Sequence, residues 1–136
     1  MIPRSRFGLA AAALLLTAAA TLQLVATPSQ AAGSVGDPVR GKTVFARCAM
    51  CHAMQPGRNG LGPSLAGIIG RKAGTVAGYK YSPAMAASGK VWAPSAIDTF
   101  ITNPRTFLPG NKMVFPGIAN SRDRADLIAY LGQAKK

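Results

Sequence analysis

Apolar side chains recur at helical spacing soon after Asp37. Asp37 and Pro38 form a strong helix start, because an aspartate side chain can accept hydrogen bonds from free backbone N–H groups and proline has no N–H to leave unpaired. Val44, Phe45 and Cys48 then place apolar residues on one side of the segment. The pattern predicts a helix from Pro38 to about Cys48.

A second apolar face follows Pro94. Three residues there recur at helical spacing: Ile97, Phe100 and Ile101. The helix should end near Asn103, because Pro104 disfavours helical backbone in the residue that precedes it. A short further turn of helix is expected to reach Leu108.

The last helix is predicted to begin near Asn120 or Ser121. Asp123 lies in its first turn, where a negative charge suits the helix dipole. Its buried face consists of Leu127, Ile128 and Leu131. No segment of the chain alternates between polar and apolar residues for long enough to predict a strand. The fold class is therefore all-α, with three main helices, a short one and long loops.

The longest predicted loop runs from residue 53 to residue 88. This stretch is rich in glycine, proline and serine and has little helical or strand periodicity. A small domain could hardly hold so much loop on its own, since long structureless loops are uncommon in compact domains. We therefore expect the loops to wrap around a bound group.

The N-terminus has the layout of a secretory signal. Arg4 and Arg6 precede an apolar run over residues 7–26, and Ser29 and Ala31 supply the small residues that a cleavage site requires. The chain of 136 residues then has room for one domain after the leader.

We expect residues 1–31 to be a cleaved signal peptide and residues 32–136 to form one domain in the periplasm. The alternative is an uncleaved helix that anchors the domain at the periplasmic face of the inner membrane, since the apolar run approaches the ~20 residues that span a bilayer. Thr17, Thr21 and Gln23 weaken that alternative.

Cys48-Ala49-Met50-Cys51-His52 is the Cys-x-x-Cys-His pattern of c-type haem attachment. Two thiols at this spacing can form thioether bonds with the two vinyl groups of one porphyrin, and the next residue places an imidazole beneath the iron. A thioredoxin-like pair would require a strand and a βαβ context, and a structural zinc site would require four Cys/His ligands, whereas His52 is the sole histidine. The motif predicts one haem c, bound covalently through Cys48 and Cys51.

Low-spin haem iron in an electron carrier needs a second axial ligand, usually histidine or methionine. Met50 lies inside the attachment motif and Met54 is too near it to reach the opposite haem face easily. Met85 and Met113 remain, although any methionine can also serve as apolar filler. Met113 stands out because residues 109–113 form a turn-rich segment that can fold over a flat cofactor.

Further segments combine with the haem motif into a specific pattern. They are Gly41, Phe45, Gly62-Pro63-Ser64-Leu65, residues 67–74, Tyr79-Lys80-Tyr81, Trp92, Asn103-Pro104, residues 109–113 and residues 126–131. On these segments, residues 36–133 resemble the class I c-type cytochromes, a family that includes mitochondrial cytochrome c and bacterial carriers of the cytochrome c2 and c550 type.

The resemblance implies that His52 and Met113 are the axial ligands of the iron and that the Pro63 carbonyl accepts the outer N–H of His52. Such a bond orients the ring and tunes its basicity. The residues that the resemblance assigns to the haem propionates are Arg71, Tyr81 and Trp92. A buried carboxylate is costly unless it is paired, which gives that assignment a physical reason. Taken alone, the two aromatic residues could equally be ordinary core.

The function implied is one-electron transfer between redox proteins, with the iron cycling between Fe(III) and Fe(II). Because both axial positions are filled, the iron has no open position for a substrate, and the protein is not expected to be an enzyme. A peroxidase-like haem enzyme is the alternative. No second histidine or acidic residue lies beside the motifs to act as its distal base.

The net charge of +12 favours anionic partners. The resemblance places Arg47, Arg105 and Lys112 around the exposed haem edge. The expected partners of this monomer are therefore acidic docking faces of redox proteins, such as an oxidase, a photosynthetic reaction centre, a bc1-type complex or a periplasmic dehydrogenase. Nucleic acid is not an expected partner, because the chain has no stacking or helix-turn-helix motif.

Three residues depart from the mitochondrial pattern. Phe100 replaces a tyrosine that contacts the axial methionine, Asn111 replaces a threonine that helps order buried water, and Met85 replaces an asparagine. These changes predict a hydrogen-bond network around the methionine that is thinner or rebuilt.

Overall fold

The computed structural model describes residues 36–134, and the regular elements in that range are helices. They are α1 (Pro38–Ala49), α2 (Pro83–Ala86), α3 (Pro94–Thr102), α4 (Pro104–Phe107) and α5 (Ser121–Leu131). Over this part of the chain, the only β-type pairing is a single antiparallel bridge between Lys72 and Val91. The all-α class is confirmed, whereas the predicted signal peptide lies outside the described residues.

The helix boundaries follow from proline and from polar caps. Proline stands in the first turn of the first four helices, where its missing N–H leaves no donor unpaired. Side chains that accept hydrogen bonds from backbone N–H groups precede four helices: Asp37, Ser82, Asn103 and Asn120. The predicted helices α1, α3, α4 and α5 are confirmed. Within residues 36–134, no helix is long and apolar enough to cross a bilayer.

Helix α2 corrects the prediction of continuous loop between residues 53 and 88. Its four residues are too few to show a periodic pattern in the sequence. The helix forms because the Ser82 hydroxyl accepts a hydrogen bond from the Met85 N–H at 3.2 Å and because the Met85 side chain is buried in the core. The short turn therefore depends on tertiary packing.

Helices α1 and α5 cross in close contact at Gly41. A Cβ atom at Gly41 would lie 2.0 Å from the Asp126 carbonyl oxygen and 2.8 Å from the Tyr130 Cβ, so the crossing requires glycine. One turn further along, the rings of Phe45 and Tyr130 lie 5.4 Å apart. Leu127 is almost wholly buried beside them. This contact fixes the C-terminal end of α1, where the cysteine motif begins.

A second part of the core is a cluster of three aromatic rings. The Trp92 ring lies 5.0 Å from the Phe100 ring and 6.4 Å from the Phe107 ring, measured between ring centroids. The Phe100 and Phe107 rings are 5.7 Å apart in an edge-to-face arrangement. Offset and edge-to-face pairs of this kind add stability beyond the area that they bury. The cluster joins α3 and α4 to Trp92, which lies just before α3.

Asp126 is a buried acid that ties the start of α1 to α5. Its side chain is only 2% exposed and accepts hydrogen bonds from Arg40 Nε at 2.8 Å, Arg40 Nη2 at 3.1 Å and the Asp37 N–H at 2.6 Å. The Arg122 guanidinium lies 4.0 Å away. The bond from Arg40, followed by that from Asp37, lowers the pKa of Asp126 from 3.8 to about 2. The folded protein therefore favours the ionised carboxylate.

We predict that Asp126→Asn lowers the free energy of unfolding at neutral pH. The difference from the parent protein should become smaller as the pH is lowered. Because the folded pKa of Asp126 is below its unfolded value, its stabilising effect is complete above an unfolded pKa of 3.8 and is lost as the pH falls towards about 2. Denaturant unfolding of the holoprotein between pH 7 and pH 2 measures the change.

The matched control is Asp123→Asn. The Asp123 carboxylate lies 3.8 Å from the exposed Arg47 guanidinium, and exposed pairs contribute little to stability. Its effect should be small at every pH. A deficit for Asp126→Asn that stays constant down to about pH 2 would contradict the role assigned to the ionised carboxylate.

Candidate haem-binding site

The two cysteines and the histidine lie in a tight turn at the end of α1. The N–H groups of Cys51 and His52 both donate to the Cys48 carbonyl, at 3.0 and 2.9 Å. Both thiols are free and partly exposed. Burial raises the pKa of the Cys48 thiol, and nearby Arg47 opposes that change. The turn brings the two sulfur atoms and the imidazole to the same side of the domain.

The His52 ring is fixed on two sides. Its Nδ1 donates a hydrogen bond of 2.8 Å to the Pro63 carbonyl. Gly62 lies against the face of the ring, because a Cβ there would be 2.2 Å from Cε1 and 2.7 Å from Nε2 of His52. Burial lowers the pKa of His52, and the bond to Pro63 opposes that shift. Burial therefore favours the neutral imidazole, with Nε2 free to bind a metal.

Two adjoining clefts open beside the His52 ring. The first cleft has a volume of about 780 Å³ and the second about 1090 Å³, with their open mouths included. Residues that line both clefts are Cys51, His52, Leu65, Ile68, Trp92, Phe100, Met113 and Val114. Most of these side chains are apolar, as expected for the walls around a large flat ligand.

The two candidate methionines have different positions. Met113 lines both clefts, together with His52. Met85 lines the second cleft, where α2 holds it in the core. The loop that carries Met113, residues 109–117, is called the Met113 loop below.

Arg71, Tyr81 and Trp92 all line the second cleft. The Arg71 guanidinium donates to the carbonyls of Ala66 at 2.7 Å and Ser64 at 2.9 Å, and over residues 36–134 it forms no ion pair. Burial lowers the pKa of Arg71 and raises the pKa of Tyr81. A positive charge thus stands in the wall of an apolar cleft, where an anionic group would be stabilised.

The three cations expected at the haem edge are placed differently. Arg47 lines the first cleft and lies 3.8 Å from the Asp123 carboxylate. Lys112 lines the second cleft, donates to the Lys80 carbonyl, and has its Nζ 4.6 Å from the centre of the Tyr79 ring. Arg105 is on the surface of α4 and lines neither cleft.

Two residues at the site were assigned no function from the sequence. Gly62 was part of the family pattern, but only the structure shows that the His52 ring occupies the space of its missing side chain. Leu61 was not singled out, although it is 81% exposed at the mouth of the second cleft. A glycine before a proline is common in turns, so the sequence held no signal specific for ring packing.

The donor set suits a covalently bound haem. Two free thiols lie beside an imidazole whose outer nitrogen is already used, and mostly apolar walls surround the adjoining space. The thioethers of Met85 and Met113 and the guanidinium groups of Arg47 and Arg71 also line that space. The fold and the site together define a class: a small helical domain that encloses one prosthetic group in its loops.

The comparisons with known proteins identify the family. The family model for cytochrome c matches residues 38–135, and the chain belongs to the cytochrome c family. It is 44% identical over 104 residues to cytochrome c2 of Rhodomicrobium vannielii, and the matched region is 76% of this chain and 83% of that relative. It is 48% identical over 101 residues to cytochrome c2 of Rhodoblastus acidophilus, and the matched region is 74% of this chain and 94% of that relative.

A solved structure, that of cytochrome cH from Methylobacterium extorquens, has a TM-score of 0.68 and 41% identity, covering 71% of this chain and 98% of the other. The predicted family, fold and cofactor are confirmed. The protein is a monohaem electron carrier of the cytochrome c family, and Cys48 and Cys51 provide the two thiols for its one covalently attached haem c.

We predict that Gly62→Ala destabilises the holoprotein, because the new methyl group would collide with the His52 ring. Overpacking of this kind costs about 1–3 kcal/mol, which corresponds to a fall in Tm of roughly 5–15 °C. Thermal unfolding and the absorption spectrum of the reduced protein measure the effect. Gly132→Ala is the control, since its Cβ would come no closer than 3.4 Å to its neighbours. Equal Tm values for the two variants would contradict the packing of Gly62 on His52.

Proposed function

We propose that the protein is an exported one-electron carrier of the periplasm, in which His52 and Met113 are the axial ligands of the haem iron. In this proposal residues 1–31 are removed as a signal peptide, and residues 32–136 act as a monomer. The haem supplies an iron that cycles between Fe(III) and Fe(II) by one electron. The cytochrome c2 relatives support a role as a carrier between redox proteins.

One observation carries the ligand assignment. His52 is held by Pro63 and Gly62 with Nε2 unused, and Met113 lines both of the clefts that the His52 ring borders. A ligand set of imidazole and thioether leaves the iron no open position for a substrate. Electron transfer without catalysis is therefore the function that this site supports best.

Met113 and its surroundings should favour the reduced state. A thioether sulfur raises the reduction potential relative to a second nitrogen ligand. The walls of the clefts are mostly apolar, and Phe100 and Ile68 are buried there. An apolar environment disfavours the additional positive charge of the oxidised iron. The two effects act in the same direction.

Arg71, Tyr81 and Trp92 are proposed to hold the haem propionates. Arg71 already donates to two carbonyl groups, which fix its orientation at the second cleft. Other N–H groups of its guanidinium remain available to a propionate. The Tyr81 hydroxyl accepts a weak bond from the Val76 N–H at 3.4 Å, so its own proton remains available to donate. These donors would offset the cost of burying carboxylates.

The docking face is proposed to combine an apolar centre with surrounding cations. Leu61 and Val114 are 81% and 90% exposed, and both line the second cleft. Arg47, Arg105 and Lys112 would surround them and attract an acidic partner. Partners of that chemistry include an oxidase, a reaction centre, a bc1-type complex and a periplasmic dehydrogenase. Charge at such a face steers the encounter, while close contact at the centre permits electron transfer.

We predict that Met113→Ala keeps the haem attached but removes methionine ligation, because the thioether bonds and His52 do not depend on the Met113 loop. The far-red band of methionine bound to ferric haem should disappear, and exogenous imidazole should bind readily to the iron. Absorption spectra of the oxidised protein measure both effects.

Met85→Ala is the matched control, since Met85 lines the second cleft but is not the proposed ligand. It should keep the far-red band. Loss of the band in Met85→Ala with retention in Met113→Ala would transfer the ligand role to Met85. Substantial peroxidase activity in the unmodified protein would instead support the haem-enzyme alternative.

We predict that reversal of Arg47, Arg105 or Lys112 to Glu slows oxidation by an acidic redox partner by about three- to tenfold at low ionic strength and flattens its salt dependence. Exposed charges act over a Debye length of about 8–10 Å near physiological salt, so position should matter more than total charge. Stopped-flow kinetics measure the rate, and the reduction potential of each variant separates weaker docking from altered driving force.

The controls are Lys42→Glu and Lys90→Glu, which change the net charge equally. Neither residue is among those assigned to the haem edge, and the Lys90 Nζ lies 4.5 Å from the centre of the Phe107 ring. Both should slow the reaction much less. Equal slowing by all five variants would mean that net charge alone steers the protein.

A further inference from the structure

The side chain of Asn111 forms three hydrogen bonds around the Met113 loop. Its Nδ2 donates to the carbonyls of Pro104 at 2.8 Å and Leu108 at 2.7 Å. Its Oδ1 accepts from the Met113 N–H at 3.0 Å. One amide group thus connects the backbone of Met113 to the backbone of α4.

These partners determine which way the Asn111 amide faces. With oxygen and nitrogen exchanged, the oxygen would face two carbonyl oxygens and the NH₂ group would face the Met113 N–H. All three contacts would then be repulsive. An amide is the only side-chain group of this size that offers two donors and an acceptor together. Threonine, which the family pattern has at this position, offers one donor.

The anchor at the other end of these bonds is rigid. Pro104 is among the fully buried residues, and Leu108 is buried in the core. The Leu108 N–H also donates to the Pro104 carbonyl at 3.0 Å, so the two acceptors belong to the same turn of helix. The position of the Met113 backbone is therefore tied to buried residues of the core.

The far end of the Met113 loop is fixed independently. The Ile118 N–H donates to the Ile101 carbonyl at 2.8 Å, and Gly117 lies against the end of α3, where a Cβ would be 2.1 Å from the Thr102 carbonyl oxygen. The loop is thus held near Asn111 and near Gly117, with Met113 between the two attachments. Loss of the Asn111 amide would remove the three side-chain bonds at the first attachment, while the backbone bond from the Asn111 N–H to the Leu108 carbonyl at 3.1 Å would remain.

We propose that Asn111 is a positioning residue for Met113, and that its amide determines how readily the Met113 sulfur leaves the iron. The proposal rests on the proposed ligation by His52 and Met113. Asn111 acts through the backbone of Met113, because its Oδ1 accepts from the Met113 N–H while its Nδ2 is anchored on the carbonyls of Pro104 and Leu108. Its effect should appear in the exchange of the sulfur ligand more than in overall stability.

The test compares the holoprotein with Asn111→Ala, Asn111→Asp and the control Asn59→Ala. Asn59 is a matched control because it is also partly buried and also braces a loop through its amide. Its Nδ2 donates to the Ala77 carbonyl at 3.0 Å, and its Oδ1 accepts from the Ser64 N–H at 3.0 Å. Those bonds lie on the His52 side of the site.

Three quantities are measured for each protein: the far-red band of the oxidised form, the rate at which imidazole displaces the sulfur ligand, and the denaturant midpoint. Asn111→Ala should increase the displacement rate about tenfold. Asn111→Asp should have a similar effect, because its carboxylate keeps the acceptor for Met113 but cannot donate to the carbonyls of Pro104 and Leu108. Asn59→Ala should lower the denaturant midpoint and leave the displacement rate within about twofold of the parent.

A parent protein with the far-red band and an Asn111→Ala displacement rate equal to the parent rate would overturn the role of Asn111 alone. Equal acceleration by Asn59→Ala would also overturn it, because a general loss of stability would then explain the effect. If Asn111→Ala does not fold, Asn111→Asp decides the question in the same assay. A parent protein without the far-red band would refute the ligation proposal, and the Asn111 proposal with it.

Discussion

A ring nitrogen can present its lone pair in only one direction, and in this protein that direction is set on the opposite side of the His52 ring. Nδ1 donates to the Pro63 carbonyl, and Gly62 leaves space for the ring to lie flat against the chain. The orientation therefore exists in the polypeptide itself. Cys48 and Cys51 precede the histidine in the same turn, and all three residues line the first cleft.

The turn that holds these groups is useful only because α1 is itself held in place. Gly41 allows α1 to approach the backbone of α5, and the buried carboxylate of Asp126 binds Arg40 and the backbone of Asp37 at the start of α1. The close packing at Gly41 sets the distance between the two helices. The ion pair between Arg40 and Asp126 opposes a shift of one helix along the other. The position of the haem motif therefore depends on contacts with the C-terminal helix.

The sequence predicted the helices well, because proline and capping residues mark their starts and apolar residues mark their buried faces. The Cys48–His52 motif likewise predicted the cofactor, since few other chemistries need that spacing. Helix α2 was not predicted: Ser82 and Pro83 do mark a helix start, but its four residues show no period and the burial of Met85 depends on tertiary contacts. The partners of Arg71 were equally hidden, since backbone carbonyls that converge from a loop have no sequence signature.

The methionine side of the clefts shows how the three departures from the mitochondrial pattern fit together. Phe100 has no hydroxyl and packs against Trp92 and Phe107, while Met85 fills core space that an amide would have made polar. Asn111 is the only polar member of the three, and its amide links the Met113 N–H to the carbonyls of Pro104 and Leu108. The sequence interpretation left open whether the network is thinner or rebuilt. The contacts favour both descriptions in different places. The side chains of Phe100 and Met85 offer no hydroxyl or amide, so the network is thinner at those two positions, whereas at Asn111 it is rebuilt as a brace for the backbone of Met113.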